Sequence, residues 1–371
     1  MRHPATTVPR RNIPLLSALA IIGVVLNHAV WQVLSNIPAG SRNGYTYLPL
    51  DQMGKIAIPA FMFIAGYFIA YATSGGRKPL AWNVVRARIG KLFWPWVLWA
   101  FIWLGMQVSA QVLGLRSGGT PLGFNIRSIL LALFAQYYFI PMLMVYYLAA
   151  PLLVRIARLS SLRALFFITI LLQLAGVALF YIQVYAPHTL PPGLQSGNWL
   201  DVTLLQYLRF AFYFPLGLAS GMKPSAFAPL LRWRKALPWL TALAFVLATL
   251  EGGLAYGFLR DNWQRGDSHV KVTSMLLSLG LIFCFMVYSN IPVPARWRKP
   301  VRELSANTYG LYLAHYVVMA VLDKIIARFV PPSVPLQILY IFLLVAATLS
   351  LSLWMIHISM RSGRLHDLLF G

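Results

Sequence analysis

The chain has 371 residues, of which 59% are hydrophobic and only 11% are charged, and its mean hydropathy is +0.68. Soluble domains carry about 25% charged residues, so this composition excludes a soluble globular protein and indicates a helical integral membrane protein. The formal net charge of +23 is scattered between apolar segments instead of forming one patch, which argues against nucleic-acid binding. The single cysteine, Cys284, excludes an internal disulfide and a cysteine-based metal site.

Ten apolar segments predict an all-α fold, a polytopic membrane helical bundle of about ten transmembrane helices. The segments are 12–34, 48–73, 83–106, 128–151, 161–185, 203–222, 237–259, 270–290, 303–328 and 334–358. No stretch is long and polar enough to form a separate soluble domain, so we expect residues 1–371 to form a single transmembrane domain. The basic N-terminus resembles that of a signal peptide, but the apolar run after it is too long, which favours a retained first helix.

Basic residues predict the orientation of the chain, because short cytoplasmic loops retain Lys and Arg. If the N-terminus is cytoplasmic, most Lys and Arg residues fall in cytoplasmic loops, which predicts an even number of spans and two cytoplasmic termini. Several acidic residues fall at or near the outer face instead: Asp51, Asp201, Glu251, Asp261, Asp267 and Asp323. An outward-facing polar cavity for a hydroxylated substrate and ordinary solvated loop ends both explain this distribution.

His28 is the main candidate for a functional residue. It lies sixteen residues into the first segment, about 24 Å along a helix and therefore in the half of the membrane far from the N-terminus. An imidazole at that depth costs free energy unless it is paired or faces a wet cavity, so it marks a functional site by default. The alternative is a structural histidine that is hydrogen-bonded between helices or to Gln32.

His315 is the second intramembrane histidine, twelve residues into the ninth segment. It shares a helix face with Tyr309 and Tyr312, so it is either a relay or orienting partner or a buried structural histidine. His188 and His269 fall in outer loops, where we expect them to be solvated. Because the histidines are dispersed along the chain, we expect no metal site.

Arg209 is also predicted to lie within the membrane, where an unpaired guanidinium is expensive. Asp201, Glu251 and Asp51 are the candidate counter-charges. Such a pairing would give either a structural ion pair or an anion site in the cavity.

Six short stretches occur in one order between residue 10 and about residue 320. They are VVLNHA (24–29), IPAFMFIAGYFIAY (58–71), VVRARIGKLFWPWVLWAF (84–101), YYFIPMLMVYYLAAPLL (137–153), RFAFYFPLGLASG (209–221) and LSANTYGLYLAHYVV (304–318). Each stretch alone is weak, but six in order are hard to obtain by chance. Together they resemble membrane acyltransferase family 3, the bacterial O-acyltransferases that modify extracellular sugars.

The first segment departs from the pattern of this family. The family usually has Arg or Lys eleven residues before the histidine and Asp three residues before that, whereas this chain has Ser17 and Pro14. Eleven residues make about three helical turns, so such a basic residue would share the histidine's face roughly 16 Å further in. Arg10 and Arg11, about two turns closer to the N-terminus, are candidates to supply the missing charge.

The resemblance implies that acetyl-CoA or a similar acyl-CoA is the acyl donor. It carries the binding of the nucleotide phosphates to Arg86 and Arg88, because planar guanidinium groups bind phosphate bidentately. Lys91, one turn from Arg88, would add a positive charge. Anchoring of the chain by the positive-inside rule is the alternative for these residues.

The same resemblance implies that His28 is catalytic, and His315 is the second catalytic candidate. Histidine suits a general base because its unperturbed pKa of about 6.5 lies close to working pH. His28 would activate the acceptor hydroxyl or carry the acyl group briefly. We expect substrate binding to involve Asp51, Arg209, Glu251 and Tyr309.

These features predict an integral-membrane O-acetyltransferase of the bacterial cytoplasmic membrane. It would move a short acyl group from cytoplasmic acyl-CoA to a hydroxyl of an extracytoplasmic polysaccharide, lipid-linked saccharide or glycolipid. We expect it either to complete the transfer itself or to pass the acyl group to a partner in envelope-polysaccharide synthesis. The rival functions are a transporter or flippase for such saccharides, which Ser17 favours, and a structural subunit with a degenerate site.

Overall fold

The computed structural model describes residues 12–37, 41–114, 123–159, 162–195, 201–259, 268–329 and 333–371. Within these ranges the chain is helical and contains no strand, so the predicted all-α polytopic bundle is confirmed. Arg10 and Arg11 lie outside the described residues, as do Asp261, Asp267 and the side chain of Asp201.

The principal helices are numbered in chain order. They are α1 (Ile13–Leu34), α2 (Leu48–Gly54), α3 (Ala57–Ala72), α4 (Trp82–Val112), α5 (Phe139–Leu159), α6 (Leu162–Tyr185), α7 (Tyr213–Met222), α8 (Leu237–Phe258), α9 (Val272–Tyr288), α10 (Ala295–Ala306), α11 (Thr308–Ile326), α12 (Val334–Ser359) and α13 (Gly363–Phe370). Shorter helical segments are Arg42–Tyr45, Ile126–Leu130, Gln206–Leu208, the π-helices Leu131–Gln136 and Asp201–Leu205, and the 3-10 helices Pro187–Thr189, Pro192–Leu194, Pro224–Trp233 and Ala327–Phe329.

Eight helical stretches of the described chain are long and apolar enough to cross a membrane. They are Ile13–Leu34, Arg42–Ala72, Trp82–Val112, Phe139–Leu159, Leu162–Tyr185, Leu237–Gly257, Thr308–Ile326 and Val334–Ser359. The apolar helices Ile126–Gln136 and Val272–Tyr288 are shorter. The predicted number of about ten crossings and the cytoplasmic position of both termini therefore stay predictions.

Four of the predicted segments are not continuous helices: 48–73 divides between α2 and α3, 303–328 divides between α10 and α11, and two others are broken by turns. Segment 128–151 is interrupted by a turn at residues 137–138, and segment 203–222 by turns at residues 209–212. At the second break the side-chain Oε1 of Gln173 accepts a hydrogen bond from the backbone N–H of Phe212 at 2.9 Å. Irregular backbone at membrane depth persists only where it is buried and its polar groups are satisfied. Both breaks therefore depend on tertiary contacts that hydropathy does not reveal.

Helix α1 occupies the middle of the bundle. It packs against α2, α3, α10, α11 and α12. Its buried residues include Ile21, Val25 and Val30, which point in different directions around the helix. Burial on different sides of one helix requires that other helices surround most of it. His28 is therefore presented to other helices of the bundle.

Helices α3 and α7 are in backbone contact because glycine lies on both. A Cβ atom at Gly66 would stand 2.0 Å from the carbonyl oxygen of Phe214, and one at Gly217 would stand 1.9 Å from that of Phe63. Small residues at such crossings allow helices to approach closely in a membrane. Helix α3 packs in turn against α1, and its residues Ala57 and Ile58 lie near His28.

Candidate active site

His28 opens onto a cavity inside the bundle, which we name the histidine cavity. Its volume is about 190 Å³. The cavity is lined by Val24, Asn27, His28, Gly54, Lys55, Ala57, Ile58, Ala135, Gln136, Tyr137, Tyr138, His269, Tyr312, His315 and Tyr316. Helices α1, α2, α3 and α11 and the turn before α5 all contribute to it. Three imidazoles that are far apart in the sequence therefore share one polar space.

His28 and His315 face each other across the contact between α1 and α11. Their ring centroids lie 5.2 Å apart with an angle of 33° between the planes. The ring of Tyr316 lies edge-on to His28, with centroids 4.8 Å apart. His28 is half-buried, whereas His315 is only 2% exposed. The arrangement places one accessible and one buried imidazole side by side.

The hydrogen bonds of His315 determine which ring nitrogen is available for chemistry. Its Nδ1 lies 2.6 Å from the carbonyl oxygen of Tyr312 and 3.2 Å from that of Leu311. A carbonyl oxygen accepts only, so Nδ1 carries a proton and donates. The buried Nε2 has no hydrogen-bond partner among the described residues. A neutral His315 thus presents the lone pair of Nε2, which is the form that a general base requires.

A close contact between α1 and α2 positions the polar groups beside His28. A Cβ atom at Gly54 would lie 2.6 Å from the Cβ of Asn27 and 2.7 Å from the carbonyl oxygen of Gly23. Because Gly54 has no side chain, the Nδ2 of Asn27 reaches Oδ1 of Asp51 at 2.7 Å. Asn27 and Gly54 both line the histidine cavity. A glycine therefore controls how closely α2 approaches the helix that carries His28.

Asp51 is buried behind the cavity wall and does not line the cavity. Its Oδ2 lies 3.0 Å from the ammonium of Lys55 and accepts from Nε2 of Gln52 at 3.0 Å. Lys55 does line the cavity. The structure therefore places Asp51 where it orients Asn27 and Lys55, while its predicted contact with substrate stays a prediction.

His269 lines the histidine cavity, although the sequence did not identify it as a site residue. The expectation that it is solvated is wrong: it is half-buried, and its Nε2 lies 2.8 Å from the hydroxyl of Tyr138. Its ring also stacks on Phe210, with centroids 5.3 Å apart. The only sequence signal was its position just before α9, and nothing there indicates the partners. His188, by contrast, is exposed as expected.

A second cavity contains two of the predicted phosphate-binding residues, and we name it the arginine cavity. It measures about 290 Å³ and is lined by Arg88, Lys91, Leu92, Tyr147, Ala306, Asn307, Tyr309, Gly310, Ile356, His366, Phe370 and Gly371. The guanidinium of Arg88 lies 5.6 Å from the ring centre of Tyr147. Arg86 is exposed and does not line this cavity. The structure thus separates Arg86 from Arg88 and Lys91.

Tyr309 belongs to the arginine cavity and not to the histidine cavity. Its hydroxyl donates to the carbonyl oxygen of Leu92 at 2.6 Å, which ties α11 to α4. The structure gives this side chain a bridging role between helices, and its predicted contact with substrate stays a prediction.

Helix α11 connects the two cavities. Tyr309 lines the arginine cavity and Tyr312, one turn later, lines the histidine cavity, a rise of about 4.5 Å. Helix α5 runs past both as well: Phe139 at its start packs on Tyr312, with ring centroids 5.3 Å apart, and Tyr147 lines the arginine cavity. The cavities are separate spaces divided by about one helical turn of side chains.

Arg209 and Glu251 line neither cavity. Arg209 is 5% exposed, its guanidinium donates to the amide oxygens of Gln183 and Gln206, and it lies 5.5 Å from the ring centre of Phe180. Glu251 accepts hydrogen bonds from the hydroxyls of Tyr181 and Thr273. Glu251 is therefore not the counter-charge of Arg209.

The residues of the two cavities do not form a metal-binding cluster. Over the described ranges, no group of three or more His, Cys, Asp or Glu side chains is placed to hold a metal ion.

A comparison with protein families identifies the chain. The model of an acyltransferase domain, acyltransferase family 3, matches residues 11–357. The chain belongs to acyltransferase family 3. No match was found among curated proteins or among solved structures. Membership of this family supports a multi-pass membrane protein with acyltransferase activity.

Ser17 stands where the resemblance to acyltransferase family 3 predicts a basic residue. The Oγ of Ser17 lies 2.9 Å from Oγ1 of Thr308, the residue next to Tyr309 of the arginine cavity. The position at which family members usually have a basic residue is therefore close to the cavity that contains Arg88 and Lys91. Two cations are already present there, so the region keeps a positive charge without one at position 17.

Proposed function

We propose that this member of acyltransferase family 3 transfers a short acyl group, such as acetyl, from cytoplasmic acyl-CoA to a hydroxyl of an extracytoplasmic carbohydrate or glycolipid. The observation that carries the proposal is the histidine pair. His28 and His315 share one cavity, and the hydrogen bond from Nδ1 of His315 leaves its Nε2 as a base. We infer that the protein acts in the bacterial cytoplasmic membrane.

The arginine cavity supplies a site for the donor. Arg88 and Lys91 line it with the imidazole of His366, and no Asp or Glu is among its lining residues. Such a set fits the phosphates of coenzyme A, because guanidinium and ammonium groups bind phosphate with charge-assisted hydrogen bonds. Both residues belong to a segment that the positive-inside rule places on the cytoplasmic side, where acyl-CoA is available.

The histidine cavity supplies the acid–base chemistry. One imidazole of the pair accepts the proton of the acceptor hydroxyl while the oxygen attacks the thioester carbonyl. The new C–O bond forms, the C–S bond breaks, and the proton on the imidazole passes to the leaving thiolate. Lys55 lines the cavity and places a positive charge near the developing oxyanion. Asp51 holds Lys55 in position through their 3.0 Å ion pair.

The acyl-bearing arm must pass from one cavity to the other. Tyr312 and Phe139 stand between them, with their rings in edge-to-face contact. A rotation of the Tyr312 side chain would open a passage between the two cavities.

The experiment that tests this proposal uses the purified full-length protein with isotope-labelled acetyl-CoA and saccharides of the bacterial envelope. We expect label on a carbohydrate hydroxyl, located by mass spectrometry, and none without protein. His188→Gln is a matched control because His188 is exposed and outside both cavities. Unlabelled saccharide in the presence of folded protein that binds acetyl-CoA would refute the transfer.

A transporter or flippase for a lipid-linked sugar is the second candidate function, and one observation favours it. Ser17 stands where the resemblance predicts a basic residue and is hydrogen-bonded to Thr308, so the chain lacks the cation expected on the face of α1 that carries His28. A transporter would move labelled saccharide across a vesicle membrane without acyl-CoA. An acyltransferase would release free coenzyme A in proportion to the modified sugar.

A further inference from the structure

An apolar groove lies on the side of the bundle where α1, α9 and α10 meet. Its volume is about 600 Å³, and its walls include Leu15, Leu19, Phe285, Trp297 and Leu304. Leu19 is 49% exposed and Trp297 is 53% exposed, so the groove is open along its length. It is separate from the histidine and arginine cavities, because none of its lining residues belongs to either.

Helix α10 forms one wall of the groove, and the helix itself has two chemically different faces. Trp297, Pro300, Val301 and Leu304 line the groove and follow the spacing of a single helical stripe. The same helix exposes four basic side chains to the surroundings: Arg296, Arg298, Lys299 and Arg302. A basic helix with one apolar stripe is typical of a segment that lies in the membrane interface.

Three guanidinium groups are held at the edge of the groove. Arg298 donates from Nε to the carbonyl oxygen of Val293 at 3.0 Å, and Arg296 lies 5.8 Å from the ring centre of Trp297. From the opposite side, Arg234 lies 5.4 Å from the ring centre of Tyr288.

Val293, Trp297 and Tyr288 all line the groove, so each of these arginines is attached to its wall. Among the described carboxylates, none forms an ion pair with Arg234, Arg296 or Arg298. The groove thus combines an apolar interior with a cationic edge that has no anionic partner in the described chain.

We propose that the groove binds one anionic phospholipid, with an acyl chain along α1 and α9 and the phosphate at Arg234, Arg296 and Arg298. Charge complementarity identifies the occupant: the interior accepts a hydrocarbon chain, and guanidinium groups bind phosphate bidentately. Basic pockets between membrane helices on the cytoplasmic side are recognised sites for anionic headgroups. The positive-inside rule places the 290–303 loop on that side.

Native mass spectrometry of the detergent-purified full-length protein tests the proposal. The probes are phosphatidylglycerol and phosphatidylcholine with identical acyl chains, added in equal amounts. We expect one phosphatidylglycerol to be retained per protein and phosphatidylcholine to be retained much less. Replacing Arg234, Arg296 and Arg298 by Gln should weaken phosphatidylglycerol binding by about fivefold for each arginine.

Two further variants keep the test decisive. Arg155→Gln, Arg158→Gln and Arg361→Gln together remove the same charge from exposed arginines outside the groove, and the lipid preference should persist. Leu19→Trp fills the groove from an exposed position and should release both lipids while leaving the melting temperature unchanged. Equal retention of the two lipids by the unaltered protein would contradict the proposed lipid site. So would a loss of phosphatidylglycerol in the control triple variant equal to that in the variant of Arg234, Arg296 and Arg298.

Discussion

The hydroxyl oxygens of Ser17 and Thr308 lie 2.9 Å apart and join α1 to α11 near the N-terminal ends of both helices. His28 follows Ser17 by eleven residues and His315 follows Thr308 by seven, about 16 Å and 10 Å along the two helix axes. The two helices therefore run in the same direction, and their imidazoles meet on the same side of this contact. The Ser17–Thr308 bond and the histidine pair define the register between α1 and α11.

Replacement of His315 by Gln should reduce acyl transfer by about 10²- to 10⁴-fold, because a positioned general base or its partner contributes that factor. Gln keeps a polar side chain of similar length but has no basic nitrogen. The rate is measured as coenzyme A released by purified protein. His188→Gln, in an exposed segment, should keep the original rate. Full activity of the His315 variant would exclude an acid–base role.

Arg88→Gln and Lys91→Gln should each raise the KM for acyl-CoA by about 10- to 100-fold, because each removes a charge-assisted hydrogen bond worth about 1.5–3 kcal/mol. The kcat should change less, since neither residue lines the histidine cavity. Arg86→Gln is the matched control: it removes the same charge from the same helix but lies outside the arginine cavity. An equal rise in KM for the Arg86 variant would indicate that the overall positive charge, and not binding in the arginine cavity, determines the affinity for acyl-CoA.

Gly54→Ala should lower both stability and activity. The added methyl group would stand 2.6 Å from the Cβ of Asn27, so α2 must move away from α1, at a cost of about 1–3 kcal/mol. The movement also separates Asn27 from Asp51. The apparent melting temperature in detergent and the transfer rate measure the two effects.

Gly90→Ala is the control for this variant, because a Cβ atom at Gly90 meets nothing within 4 Å. Alanine is favoured over glycine in a helix, so this change should leave stability equal or about 0.5–1 kcal/mol higher. Similar losses in the two alanine variants would show that the contact between α1 and α2 is not the cause.

Asp51→Asn should destabilise the protein by about 3–5 kcal/mol, since it leaves Lys55, which is 8% exposed, without its buried carboxylate. Combining it with Lys55→Met should recover part of the loss, because a buried pair is often replaceable by apolar groups. Transfer should not recover if Lys55 supports the oxyanion. Thermal unfolding and rate measurements on the same samples distinguish a loss of stability from a loss of activity. Recovered transfer in the double variant would show that Lys55 does not stabilise the oxyanion.

The sequence was sufficient to predict the features that depend on local pattern. Apolar length predicted α1 to within one residue at its N-terminus, and the depth of His28 marked it as a candidate before any contact was known. The bundle and the family followed from the same kind of pattern. Each of these features is encoded within one helix or one short motif.

Features that depend on contacts between distant segments could not be predicted. Nothing near His269 indicates that Tyr138 binds its ring nitrogen, because 131 residues separate them. The break after Arg209 depends on Gln173, which hydropathy registers only as one polar residue in an apolar segment. Arg86 and Arg88 are two residues apart, so they point to nearly opposite sides of one helix, but only the structure shows which of them lines the cavity.

The most direct test measures acyl-CoA binding and acyl transfer in parallel for His28→Gln in detergent-purified protein. The variant should bind acyl-CoA with unchanged affinity, because its phosphates are held at Arg88 and Lys91, and should transfer no acyl group to saccharide. Transfer at the original rate by a protein without the imidazole at position 28 would contradict catalysis in the histidine cavity.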